Sequence, residues 1–204
     1  MEELPAQYDP KIVEKRIYGE WMTRGFFEPK SAPLTLNLKP FTILLPPPNI
    51  TGNLHMGHAL NATISDILIR YHRMKGFKTV WLPGIDHAGI AAQNVVEKSL
   101  RKEGVSRFDL GREKFIEKVW EWKGKYGTII LDQLKRLGAS CAWSQTRFTM
   151  DKNYSTDVAK AFVHYYEKGL IYRGKRIVSW CTRCGTSLSD LEIEHKEEVG
   201  KLYF

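Results

Sequence analysis

The segment "FTILLPPPNITGNLHMGHAL", residues 41–60, constrains the fold more than any other part of the chain. Its first five residues are apolar on both faces of an extended chain, which predicts a buried parallel strand. The three prolines that follow stiffen the strand exit, because each fixes φ and has no N–H to donate. The glycines after them let the backbone come close to a ligand. The segment therefore predicts a strand, a ligand-binding loop and the start of a helix.

The residues after this segment repeat the same order of elements. A helix is predicted up to Gly76, which is a natural stop, and a second buried strand over residues 78–84. The loop "IDHAG" and a helix over residues 90–104 follow. The first of these helices carries one apolar stripe, formed by Leu60, Ile64, Ile67, Leu68 and Tyr71. This alternation predicts an α/β fold, the first half of a doubly wound, Rossmann-like parallel sheet with flanking helices.

The whole chain is predicted to have three parts. Residues 1–40 form an N-terminal helix and a connection, residues 41–150 the first half of the Rossmann-like domain, and residues 151–204 a helix and the start of a small β, zinc-knuckle-like connective module. Further helices are predicted over residues 9–24, 111–137 and 151–169. The last residues, "KLYF", are apolar and strand-like with no closing element, which predicts that the chain was cut there.

The totals indicate a globular protein, with 43% apolar and 26% charged residues. Because there is no apolar run of about 18 residues and no signal peptide, we expect no membrane partner and a cytoplasmic location. A formal net charge of +8 favours a polyanionic partner, although many basic proteins bind no nucleic acid. The three cysteines are too few for a disulfide framework.

His55 and His58 allow two interpretations. They are three residues apart at a predicted helix start, so both rings can project to one side. There they would join unpaired N–H groups and the positive end of the helix dipole, which together favour phosphate. A metal site would need further ligands, which Asp86 and His87 in the next loop could supply. The stiff, glycine-bearing approach favours the nucleotide interpretation.

Two motifs resemble a known family. "HMGH" is similar to the HIGH signature of class I aminoacyl-tRNA synthetases, and "PPPNITGNLHMGHAL" with "GFKTVWLPGIDHAGIAAQ" resembles the motif pair of the valine-specific members. The resemblance covers essentially the whole chain, including "WCTRCGTSLSDLE". Ile85 and Ala92 depart from it, because the commonest form of the second motif has Thr at both positions.

The resemblance implies ATP-dependent activation of valine, followed by transfer to tRNA(Val), with Mg²⁺ accompanying the pyrophosphate. His55 and His58 are the implied catalytic residues. The implied ATP site consists of Thr51, Asn53, His55, Gly57 and His58. Asp86 would bind the ammonium group of the amino acid, and its alternative role is to cap the following helix. Pro47 and Asn49 would line the side-chain pocket. We also expect a monomer.

Other residues have weaker assignments. Cys181 and Cys184 have the spacing of half a zinc site, and in the family the second pair would lie beyond residue 204. Cys141 is predicted to be a small buried hydrophobic residue. The basic segments "RYHRMK" and "YRGKR" are candidates for contact with tRNA phosphates, with solvated helix faces as the default explanation.

Two rival functions remain open at this point. The second class I signature, a lysine loop similar to KMSKS, is absent from the 204 residues, as are the editing and anticodon-binding regions. The chain could thus be a non-catalytic nucleotide- or RNA-binding module derived from this fold. A metal hydrolase built on His55, His58, Asp86 and His87 is the more distant alternative.

Overall fold

The computed structural model describes residues 7–29 and 40–201. Their helices are α1 (Pro10–Thr23), α2 (Met56–Met74), α3 (Ile90–Lys102), α4 (Arg107–Arg136) and α5 (Lys152–Glu167). Their strands are β1 (Phe41–Leu44), β2 (Thr79–Leu82), β3 (Gly84–Ile85), β4 (Arg147–Phe148), β5 (Trp180–Cys181) and β6 (Thr186–Ser187). None of the described helices combines the length and the apolarity needed to cross a bilayer.

Two parallel strand pairs form the framework of the first of two compact units, Met1–Val158. β1 pairs with β2 from Phe41↔Thr79 to Leu44↔Leu82, and α2 provides the crossover between them. β3 pairs with β4 through Gly84↔Arg147 and Ile85↔Phe148. Helix-connected parallel strands confirm the predicted α/β class.

α2 buries a different face from the one that its apolar stripe marks. All five residues of the predicted stripe are at least 44% exposed. The helix instead buries Ala62 and Ile69, which are 1% and 0% exposed. Both belong to the hydrophobic core that includes Trp81 of β2, and the small side chain of Ala62 allows α2 a close approach.

β1 is also less buried than its sequence predicts. Its residues alternate between half-buried and exposed, and Leu44 is 69% exposed. Among the described strands β1 pairs only with β2, so its other edge lacks a strand neighbour. β2 fits the prediction better, because Thr79 and Trp81 are 3% and 0% exposed.

α4 packs on the framework through a glycine. Gly127 is buried, and a Cβ placed on it would lie 2.9 Å from Cδ1 of Ile85. Glycine thus allows the close approach of α4 to β3. Ser106 caps α4, which starts at Arg107 rather than at the predicted residue 111, and Gly111 interrupts its helical geometry with φ 75°.

Two arginines of the segment "RYHRMK" have internal partners. Arg70 donates to Asp66 and to the carbonyl oxygen of Gly138, at 2.7 Å each. Arg73 donates to the Ser140 hydroxyl at 3.0 Å. These bonds attach α2 to the loop after α4. The two arginines therefore stabilise the fold, a role that the sequence pattern did not indicate.

The second compact unit is Ala159–Phe204. In its described part, β5 and β6 form an antiparallel hairpin with Trp180↔Ser187 and Cys181↔Thr186. Cys184 lies in the turn, and its backbone N–H points at Sγ of Cys181 at 3.4 Å. This hairpin agrees with the β character predicted around the cysteine pair, while the zinc knuckle and the domain boundaries at residues 40 and 150 stay predictions.

Candidate active site

The proline loop and the Asp86 loop are joined by backbone hydrogen bonds. Asp86 N–H donates to the Pro48 carbonyl at 2.8 Å, and Ile50 N–H donates to the Asp86 carbonyl at 3.1 Å. These two bonds make a parallel bridge between Asn49 and Asp86. The carboxyl ends of neighbouring parallel strands meet at one edge of a sheet, where α/β folds bind ligands. The structure therefore places the two sequence motifs side by side.

The long helix α4 holds the proline loop at two points that the sequence did not reveal. Trp122 donates its indole N–H to the Ile50 carbonyl at 2.7 Å. Gln133 accepts a bond from Leu54 N–H at 2.8 Å. Three successive prolines leave the loop few N–H groups for bonds of its own. Side chains of α4 therefore help to fix the shape of the proline loop.

His55 and His58 cap the start of α2 reciprocally. His55 is the N-cap residue, and its Nδ1 accepts a bond from Gly57 N–H at 3.1 Å. Nδ1 of His58 in turn accepts from His55 N–H at 3.3 Å, and the ring centroids are 4.0 Å apart. The Gly57 N–H is thus already bonded, which differs from the open helix terminus that the sequence predicted.

This capping arrangement decides where the histidine protons lie. A neutral imidazole has one donor and one acceptor nitrogen, and Nδ1 is the acceptor in both rings. Each neutral ring therefore carries its proton on Nε2, which remains able to donate to a ligand. Partial burial, and secondly the nearby His55, lower the pKa of His58. At neutral pH His58 is consequently a neutral Nε2–H donor.

A cavity of about 320 Å³ lies against this loop, at the small end of the usual range for ligand sites, roughly 300–1,000 Å³. It is lined by residues 45–49, His55, Gly57, His58, Asn61 and Leu134. Thr51 and Asn53 lie in the adjoining turn and do not line it. Asp86 does not line it either, but its backbone is bridged to Asn49, which does. Asn61 was missed, although its position three residues after His58 places it on the same side of α2.

Asp86 is not the cap of the following helix. The N-cap residue of α3 is Gly89, and no side chain caps that terminus. Asp86 Oδ1 instead accepts a bond from the Thr149 hydroxyl at 2.9 Å and lies 3.3 Å from His87 Nδ1. The Asp86 side chain is 29% exposed, so a ligand can reach it. The capping alternative was therefore wrong.

The candidate metal ligands do not assemble into a cluster. Across residues 7–29 and 40–201, no group of three or more His, Cys, Asp or Glu side chains is arranged to hold a metal ion. The hydrogen bond from Cys184 N–H is the main cause that lowers the pKa of Cys181. Two thiolates provide half of a tetrahedral zinc site, so the described residues do not complete one. Cys141 is fully buried, as predicted, and burial raises the pKa of its thiol.

Gly57 has a local role that a substitution can test. An alanine Cβ there would lie 3.0 Å from Cε1 and 3.1 Å from Nδ1 of His55, so the ring must move by a few tenths of an ångström, which weakens its cap bond. In the activation reaction that the sequence motifs imply, Gly57→Ala should lower the rate by at least about tenfold, because the His55 ring is then displaced. The free energy of unfolding of this variant should change by less than about 1 kcal/mol, because the higher helix propensity of alanine offsets the weakened cap.

Pyrophosphate exchange and thermal melting measure both effects of Gly57→Ala. Gly124→Ala is the matched control, since a Cβ at that helical glycine of α4 meets no atom within 4 Å. Unchanged exchange in Gly57→Ala would show that the position of the His55 ring is unimportant.

Comparison with known proteins identifies the family. The model of the class I tRNA synthetases (I, L, M and V) matches residues 16–200. The chain belongs to this family. A solved structure with the same fold, at TM-score 0.70 and 25% identity, is the LeuRS of Agrobacterium radiobacter K84 in a ternary complex with tRNA and LeuAMS. The match covers 89% of this chain and 21% of that one.

Within the family, the chain is similar to several valine–tRNA ligases. It is 56% identical over 201 residues to that of Pseudothermotoga lettingae, covering 98% of this chain and 23% of the relative. It is 55% identical over 203 residues to that of Carboxydothermus hydrogenoformans, covering 98% and 22%. For Thermus thermophilus the identity is 56% over 202 residues, covering 98% and 23%. The chain thus spans less than a quarter of the length of these curated relatives.

Proposed function

We propose that this chain carries the ATP- and valine-binding part of a valine–tRNA ligase, which activates valine with ATP and ligates it to tRNA(Val). The observation that carries the proposal is the backbone bridge between Asn49 and Asp86. It joins the proline loop, which precedes the two histidines, to the Asp86 loop, which directly follows β3. An amino acid and an ATP α-phosphate must meet in one site, and this juxtaposition supports such a site.

The histidines serve the nucleotide in this proposal. His55 and His58 donate their Nε2 protons to ATP phosphate oxygens and stabilise the negative charge that develops in the transition state. Thr51, Asn53 and Gly57 belong to the same ATP site, in which Gly57 lets the adenine lie close to the start of α2. Mg²⁺ on the ATP phosphates would neutralise part of their charge and would need few fixed protein ligands.

The Asp86 loop and the proline loop bind the amino acid. Asp86 pairs with the ammonium group, and Pro47 and Asn49 line the side-chain pocket. A carboxylate oxygen of valine attacks the α-phosphorus, the bond from that phosphorus to the oxygen of the β-phosphate breaks, and pyrophosphate leaves. The protein contributes mainly positioning and charge stabilisation to this displacement. The aminoacyl group then passes to tRNA.

The test of this function is ATP–pyrophosphate exchange with each amino acid in turn, on the longer protein that contains this sequence. We expect valine to give the highest exchange rate. Threonine should give a weak but measurable rate. It has nearly the same shape as valine, and an apolar pocket rejects such an isostere poorly when the difference is one added hydroxyl. Valine–tRNA ligases are the known example of this limit. A higher rate with isoleucine would contradict the assignment.

The same assay separates the enzyme from a binding module. A module that retained the loop but lost the reaction would bind ATP and give no exchange with any amino acid. The 204-residue chain tested separately should bind ATP weakly, because His55 and His58 lie inside it. Its exchange should be slower by orders of magnitude, because it has no lysine loop to stabilise pyrophosphate.

A further inference from the structure

Thr149 is a residue outside both sequence motifs that touches the candidate amino-acid site. It directly follows β4, and its backbone N–H donates to the Ile85 carbonyl at 3.2 Å, which continues the pairing of β4 with β3. Its hydroxyl lies 2.9 Å from Asp86 Oδ1 and 2.9 Å from the backbone nitrogen of His87. The same hydroxyl lies 2.6 Å from His87 Nδ1. The sheet therefore fixes one hydroxyl among three polar partners.

Counting protons assigns a direction to each of these bonds. A hydroxyl has one proton and two lone pairs, and a carboxylate can only accept. The Thr149 proton must therefore go to Asp86 Oδ1. The His87 backbone N–H fills one lone pair of the hydroxyl, so His87 Nδ1 must fill the other as a donor. His87 thus carries a proton on Nδ1, the opposite tautomer to that of His55 and His58.

The result is a carboxylate whose two oxygens differ. Asp86 Oδ1 accepts from Thr149 and lies 3.3 Å from the His87 Nδ1 donor. In the part of the chain that the structure describes, no hydrogen bond reaches Oδ2. One oxygen therefore fixes the rotation of the carboxylate, and the other can accept from a substrate cation.

We propose that Thr149 is a positioning residue of the amino-acid site, whose hydroxyl orients Asp86 so that Oδ2 receives the substrate ammonium group. This rests on the proposed function, in which Asp86 binds that ammonium. Thr149 itself does not touch the substrate; it acts through Asp86. Because a preoriented carboxylate loses no rotational freedom on binding, removal of the hydroxyl weakens recognition of the ammonium.

The test compares Thr149→Val, which keeps the shape of threonine without its hydroxyl, with Thr149→Ser, which keeps the hydroxyl. Both are measured by pyrophosphate exchange in the full-length protein. Thr149→Val is expected to raise the KM for valine by about tenfold, the effect of one hydrogen bond to a charged group. The KM for ATP should stay unchanged, and Thr149→Ser should behave nearly like the unmodified protein. Thr146→Val is the matched control, because that hydroxyl donates to the Trp143 carbonyl instead.

Two substrate analogues separate positioning from general packing. Valinol keeps the ammonium group, whereas 2-hydroxy-3-methylbutanoate has a hydroxyl in its place. Thr149→Val should weaken inhibition by valinol about tenfold and leave inhibition by the hydroxy acid unchanged. An equal loss for both analogues would show a structural role and overturn the proposal. An unchanged KM for valine in Thr149→Val would also overturn it.

Folding and function are controlled separately. Thr149→Ala also lacks the hydroxyl, so it replaces Thr149→Val if melting shows that the latter does not fold, and the same shifts are expected of it. If the unmodified protein exchanges pyrophosphate with no amino acid, the proposed function is wrong. If the unmodified protein exchanges with valine, and neither Thr149→Val nor Thr149→Ala raises the KM for valine, only the role of Thr149 is wrong.

Discussion

Asp86→Asn is expected to weaken valine binding by about 2–5 kcal/mol, the cost of truncating one partner of a desolvated charge pair. The structure explains why this substitution is a clean test. Thr149 donates to Oδ1, so the amide oxygen of asparagine can take that place without rearrangement. The amide NH₂ group then faces the substrate ammonium, and an attraction between opposite charges becomes a contact between two donors. ATP affinity should barely change.

Calorimetric titration with valine and with ATP, combined with thermal melting, measures these effects of Asp86→Asn. Asp109→Asn is the control, because Asp109 caps the start of α4 by accepting from Ser106 N–H at 2.9 Å. The control should lose at most about 1 kcal/mol of stability and no valine affinity. Normal valine affinity in Asp86→Asn would show that Asp86 does not bind the ammonium group.

The second large effect concerns the two histidines. Removing one charge-stabilising group typically lowers a rate by about 10²–10³, so His55→Ala and His58→Ala should each do so in pyrophosphate exchange. The double variant should be slower still and should bind ATP more weakly. Its loss should be smaller than the product of the single losses, because the two rings act as one unit.

A cap-preserving variant isolates the chemistry of His55 from its structural role. His55 caps α2, so His55→Ala should also lose about 1 kcal/mol of stability. Asparagine is a good N-cap residue but has no Nε2–H, so His55→Asn should keep the melting temperature and still lose the rate. His72→Ala is the control on the same helix, since His72 bonds the Leu68 carbonyl. Normal exchange in His55→Asn would show that capping is the whole function of His55.

The sequence by itself determined the order of elements and the loops in which the candidate site residues lie. Strand, glycine loop and helix follow from local patterns: apolar runs, prolines that end a strand and glycines that permit turns. Predicted and observed bounds of α1, α3 and α5 differ by at most two residues. The family resemblance assigned Asn49 and Asp86 to one amino-acid site, and in the structure a backbone bridge joins these two residues.

The tertiary structure decided which partners hold the site in place. Thr149 is 63 residues from Asp86, Trp122 is 72 from Ile50 and Gln133 is 79 from Leu54, so no local pattern connects them. Strand pairing and the packing of α4 bring these residues together. The buried face of α2 was likewise decided by the sheet, which accepts Ala62 and Ile69 although the predicted stripe is more apolar. Periodicity identifies an apolar face, but only the neighbouring surface decides whether that face is buried.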